Sequence, residues 1–183
     1  AGTELSLDFT PEDTTAAADE VKGYYHILVQ DKNYPQDLEL KQDGSQFSAS
    51  VQVPDSATAV AFNFQVDGDY ENNDTKGFVV PVYDTAGNTV AGARSSAAWF
   101  KASGGRQYGI EIEQDSVVSI LNKEMANAPE LEEDWASTLM NLTYRSDKEA
   151  GDKMMEEQLK KLGKKDKLTE RDYATLSTIY RVQ

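Results

Sequence analysis

Residues 67–78 read DGDYENNDTKGF, and Asp67, Asp69, Glu71, Asn73 and Asp74 crowd side-chain oxygens into that stretch. Calcium takes six to eight oxygen ligands from a compact backbone. An EF-hand loop beginning at Asp67 would put Asp67, Asp69 and Glu71 at its first, third and fifth positions. Its sixth position needs glycine and is Asn72; its twelfth needs a bidentate glutamate and is Phe78. That loop type is rejected, and a different calcium loop on the same five residues stays open. The competing expectation is a long hairpin loop. Asp, Asn and Gly dominate turns because they tolerate left-handed backbone and hydrogen-bond their own chain. Apolar segments flank both sides, so the turn is preferred.

Other residues offer less chemistry. His26 is the only histidine and there is no cysteine, so thiolate metal sites, disulfides and thiol catalysis are excluded for this chain. His26 is expected within a strand, opposite the apolar face, as a surface or cross-strand residue. No G-x-S-x-G, H-E-x-x-H, Walker or G-x-G-x-x-G pattern occurs. With 32 acidic residues some carboxylate pair always looks suitable for glycoside cleavage, so that signal has no specificity. Trp99, Phe100 and Tyr108 are candidates for a sugar-stacking platform. Aromatics more often fill cores. Asn73-Asp-Thr75 and Asn141-Leu-Thr143 match the glycosylation sequon, a frequent chance pattern.

The composition is globular: 183 residues, 39% hydrophobic and 27% charged. Net charge is −14, which opposes binding to nucleic acid or anionic lipid. Residues 1–147 carry 9 basic and 25 acidic side chains, whereas 148–171 carry 8 and 6. The latter stretch reads as a solvated helix face with i,i+4 pairs. No apolar run approaches the roughly 20 residues a membrane helix needs. No signal peptide is visible, and Ala1 is a residue that can follow a cleaved leader or lipoprotein anchor.

Positioning elements follow from the rhythm of side chains. TELSLDF alternates, as does VKGYYHILV, with Val21, Tyr25, Ile27 and Val29 on one side. DLELKQDGSQFSASVQV predicts a hairpin about Asp43-Gly44. VAFNFQV puts Val60, Phe62, Phe64 and Val66 on one face. GFVVPVYD, with Pro81, predicts an edge strand or bulge, DTAGN a turn, and RQYGIEIEQ a last strand. Residues 91–105 fit strand, helical turn or loop equally. The fold class expected is α+β: an antiparallel, immunoglobulin-like β-sandwich over 1–113, then a helical hairpin region over 114–183.

After Gln114 the period changes to three or four. Asp115 or Ser116 predicts a cap for a helix to about Asn127. Leu131, Trp135, Leu139 and Leu142 mark a second helix after Pro129. A third spans 148–162 and ends at a left-handed Gly163. Thr169 and Asp172 open a fourth as a capping box. Ile179, Tyr180 and Val182 are still apolar where the sequence stops, the pattern expected of a fragment truncated at its C-terminus.

The stretches LSLDFTPEDT, VPDSATAVAFNFQVDGDYENNDTKGFVVPVYDTAGNTVAGARSSAA and SILNKEMANAPEL resemble the N-terminal region of secreted bacterial thioredoxin-like proteins, thiol–disulfide oxidoreductases of the cell envelope. The likeness spans about residues 3–145. It implies a β-sandwich and helices preceding a C-terminal thioredoxin domain. It also implies a periplasmic or secreted location, lipid-anchored in the full-length form. The family's catalytic C-x-x-C is absent, so no redox residue carries over. The resemblance therefore implies a non-catalytic accessory module that contacts a protein partner or client. A carbohydrate-binding module is the alternative. No catalytic residue and no cofactor is assigned, with calcium held open only for the loop above.

Overall fold

The computed structural model describes residues 2–12 and 20–182. The chain divides into two compact units, Ala1–Ile112 and Glu113–Gln183. The first contains two antiparallel sheets. One joins β1 (Thr3–Phe9), β4 (Lys41–Asp43) and β5 (Gln46–Val53), with β5 in the middle. The other joins β2 (Val21–Val29), β3 (Lys32–Leu38), β6 (Ala59–Val66), β7 (Asp69–Glu71) and β8 (Phe78–Pro81). Its order runs β3-β2-β6, with β7 and β8 both pairing the far side of β6.

Alternation sets the core. Phe47, Ala49, Val51 and Val53 face Ile27, Val60, Phe62 and Phe64 between the sheets. Phe9 stacks on Phe64 with ring centroids 3.8 Å apart, and Phe78 meets Phe64 edge-on at 5.4 Å. The opposite face of the larger sheet is apolar too, through Leu28, Ala59 and Ala61. It is covered by α1 (Ala93–Ser103), whose Ala97 and Phe100 pack there with Ile110. Small residues on both sides let the helix lie close, which answers the ambiguity of 91–105 in favour of helix.

Three expectations are corrected. Residues 37–53 are not one hairpin: Leu38 ends β3 in the larger sheet, and β4 begins at Lys41 in the smaller. The chain changes sheets between them. The β4–β5 connection itself is Gly44-Ser45, flanked by the pair Asp43↔Gln46, with Gly44 at φ 62°. RQYGIEIEQ forms no strand; Gly105–Tyr108 is a 3-10 turn ended by left-handed Gly109. Its apolar residues alternate, but Ile110 is spent under α1 rather than on a ladder. β3 itself was not anticipated, because an edge strand exposed on both faces carries no alternation.

The second unit holds α2 (Gln114–Asn127), α3 (Glu132–Ser146), α4 (Lys148–Leu162) and α5 (Glu170–Val182). Pro129 opens a 3-10 turn ahead of α3. Met140, Met155 and Ile179 bring α3, α4 and α5 to one core. Gly151 lets α4 approach α3 closely: a Cβ there would lie 2.5 Å from the Tyr144 Cα. The capping box at α5 forms, with the Thr169 N–H donating to Asp172 Oδ2 at 2.8 Å and the Asp172 N–H to Thr169 Oγ1 at 3.2 Å. Two end signals differ from expectation. α2 starts at Gln114 with no side-chain cap at Glu113, and Gly163 is right-handed, its N–H bonded to the Leu159 carbonyl.

Candidate functional site

The acidic stretch is a hairpin turn followed by an excursion, not one long loop. Asp67 and Gly68 alone connect β6 to β7, at φ 50° and 99°, with Val66 opposite Asp69. Two left-handed centres match the twist of the flanking strands. The ladder then breaks: Glu71 opposes Phe64 and Phe78 opposes Phe62, so Asn72–Gly77 bulge out where one residue would face Asn63. Asn73, Asp74 and Thr75 are all left-handed, at φ 52°, 50° and 65°. Asn72 holds this turn, its carbonyl accepting from the Gly77 N–H and its Oδ1 from the Thr75 N–H. The Thr75 carbonyl accepts from the Glu111 N–H at 2.8 Å.

The five oxygen donors do not converge. Asp67 Oδ1 accepts from the Glu20 N–H at 2.8 Å, and Glu71 Oε2 from the Glu12 N–H at 3.1 Å. Asn73 donates to the Gly77 carbonyl, and Asp74 lies 3.9 Å from the Lys76 ammonium. Asp69 faces Val66 across the hairpin. Among the described residues, no three His, Asp or Glu side chains are placed to hold a metal ion. Asp67 and Glu71 instead tie the stretch to backbone N–H groups of Glu20 and Glu12, and the Asn72 amide holds the turn.

His26 is cross-strand but not at the surface. It lies 2% exposed beneath α1, because the face opposite the sheet-to-sheet core is buried as well. Its Nδ1 is 2.9 Å from Asn33 Oδ1 on β3, and its Nε2 is 2.8 Å from Asn63 Nδ2 on β6. The neutral tautomer with hydrogen on Nδ1 satisfies both partners. Burial pushes its pKa below the usual histidine value, with the Asn33 hydrogen bond opposing. Phe100 and Tyr108 close over the ring at 4.9 and 5.7 Å.

The aromatic platform is thereby reduced. Phe100 is fully buried and offers no face to a ligand. Trp99 and Tyr108 are half-buried beside it. Tyr108 meets Tyr70, which is 39% exposed, edge-on at 4.9 Å. Nothing local in the sequence marks Tyr70 as part of this group, because its ring partner Tyr108 lies in a distant segment.

A better-formed concavity lies elsewhere in the first unit. A groove of about 730 Å³ is lined by Tyr25, Ile27 and Val29 of β2, Tyr34 and Gln36 of β3, and Gln52 to Ser56 around the end of β5. Ile27, Val29 and Val53 make an apolar floor. Tyr34, 48% exposed, forms a wall, and the Tyr25 hydroxyl donates to Gln36 Oε1 at 2.6 Å. The wall strand, β3, pairs with β2 on one side; among the described residues no strand pairs its other side. Pro35 in mid-strand has no N–H to offer, a feature that blunts exposed edges. The alternation of β2 puts Ile27 on the core face, but the groove also draws its lining from β3 and the loop after β5, which no single segment displays.

The second unit has a hollow of about 460 Å³ lined by Glu132, Glu133, Lys161, Lys165 and Asp172, among others. Four carboxylates, Glu130, Glu132, Glu133 and Asp172, meet two ammonium groups there. Lys161 pairs with Glu132, while Lys165 reaches Asp172 at 2.8 Å and Glu133 at 3.2 Å. The Lys165 ammonium, then the Thr169 N–H, hold the Asp172 carboxyl below its usual range. These pairs stitch α3, α4 and α5 together, and the lining as a whole keeps a net negative charge.

Comparison with protein-family models, with curated proteins and with solved structures finds no match for this chain.

Proposed function

We propose that this chain is a non-catalytic protein-interaction module, the accessory part of a bacterial cell-envelope thioredoxin-like protein. In this reading the two sheets are an immunoglobulin-like sandwich, and the helices beyond it pair as antiparallel hairpins. The observation that carries the interaction role is the groove beside the edge of β3 that no described strand pairs. An extended segment laid along such an edge gains main-chain hydrogen bonds while alternate side chains enter the groove. Pro35 limits how much of the ladder can form, so side-chain contacts must supply part of the affinity.

The test is amide hydrogen exchange with a reduced and alkylated, permanently unfolded protein as probe. Residues 32–38 gain protection on binding, while the helical unit is unaffected. Protection confined to the helices, or none at all, overturns the proposal. In the same reading the purified chain reduces neither insulin nor small disulfides, and clear turnover would defeat it.

The exposed Tyr70 edge beside Tyr108 and Trp99 favours a second reading, a carbohydrate-binding module. Stacking sugar on these rings predicts retention on a glycan affinity gel that Trp99→Ala and Tyr70→Ala both abolish. No retention by the native chain removes this reading.

A further inference from the structure

The groove has an apolar floor. Among the described residues that line it, Asp55, in the loop after β5, is the one charged side chain, and none is cationic. Among the described residues none pairs with its carboxylate. Gly2 packs against it so closely that a Cβ there would come within 2.3 Å of Asp55 Oδ1. The surrounding unit repeats the sign, since residues 1–112 carry 7 basic and 17 acidic side chains. A long side chain that lays an aliphatic stem on apolar surface and ends in a cation suits both features at once. The stem fits on Ile27, Val29 and Val53, against the ring of Tyr34, where a guanidinium can also stack.

We propose that the groove takes a lysine or arginine side chain carried by an extended protein segment. This rests on the protein-interaction reading above and specifies its partner: a cationic segment, with the cation at Asp55. An anionic segment would meet Asp55 and the acidic field of the whole unit, which oppose its approach.

The probes are three capped nine-residue peptides of serine, threonine and valine, differing only at the centre: arginine, citrulline or glutamate. Citrulline keeps the shape and loses the charge. Binding is followed by fluorescence anisotropy of a labelled peptide and by amide shifts of 32–38. The arginine peptide is expected to bind about fivefold to tenfold more tightly than the citrulline one, with glutamate weakest. Asp55→Asn should erase the arginine advantage while leaving citrulline binding unchanged. Asp55 is an exposed loop residue, so the variant is expected to fold. Added salt should shrink the same ratio on the native protein, a check that needs no variant. Equal binding of arginine and citrulline, or an undiminished advantage in Asp55→Asn, overturns the cation preference and leaves the groove reading standing. If no peptide shifts the β3 amides, the groove reading falls, and the preference with it.

Discussion

The two units hold together by different means. The sheet unit relies on rings and β-branched side chains between its sheets, and its buried polar groups are neutral: His26 between two asparagines, and Thr58 with its hydroxyl 2.7 Å from Ser96 Oγ. Its described ion pairs, Lys22–Glu20 and Lys76–Asp74, are exposed. The helical unit also buries apolar side chains, among them Leu121, Trp135, Leu139, Met140, Met155 and Ile179, but it adds ties between its helices through Glu132–Lys161, Glu133–Lys165–Asp172 and Asp134–Arg171. Sheets bring apolar faces together over a wide area and need little else. Short helices meet along narrow seams, and charged side chains span the rims of those seams.

The largest way to break this contrast is Phe64→Ala. It removes the ring stacked between Phe9 and Phe78 and should cost about 3–5 kcal/mol, read from urea midpoints of the sheet unit by circular dichroism. A cost below about 1 kcal/mol would show that the sheet core is not the main support. Next is Gly151→Ala. Helix propensity alone would make alanine stabilising by about 0.5–1 kcal/mol. The new Cβ meets the Tyr144 backbone instead, so a net loss of about 1–3 kcal/mol is expected. A gain in stability would mean that α3 and α4 can separate freely.

The pH responses sharpen the contrast and should be smaller. Neutral, buried His26 has a lowered pKa, so the unfolded chain takes up a proton first as pH falls. Sheet-unit stability should therefore decline as pH drops below about 6.5, and His26→Gln should flatten that decline. The helical unit has its own window. Asp172 has a lowered carboxyl pKa, so its stabilising effect persists through neutral pH and is lost only as acid protonates it, below about pH 4. Hydrogen exchange at pH 7, 5.5 and 4 separates the two, and identical profiles would refute the distinction. The smallest effect is Lys161→Ala, an exposed pair with Glu132, at no more than about 1 kcal/mol and weaker in high salt.

Much of this was legible in the sequence because periodicity reports burial on one face. β1, β5 and β6 alternate, and α4 spans 148–162 as its apolar spacing predicts. The capping box at Thr169 and Asp172 was readable because its geometry is local. What stayed hidden depends on a third layer. A strand covered on both faces does not display that fact, so His26, expected at the surface or across strands, is cross-strand but buried. Residues 107–113 alternate like a strand, yet Ile110 serves the core under α1. The groove was invisible for a related reason: its lining comes from β2, β3 and the end of β5, which only the folded chain brings together. The stretch 67–78 shows the opposite case: it reads as one long turn between two strands, yet Asp69–Glu71 pairs with β6 and only Asn72–Gly77 leaves the ladder.

The chain has two tryptophans, and they fall one to each unit: Trp99 on α1, half-buried, and Trp135 on α3, with no exposed surface. Each unit therefore carries its own intrinsic fluorophore. Replacing either with phenylalanine would leave a single-colour reporter for the other, so that the order in which the halves melt could be watched without attaching a dye.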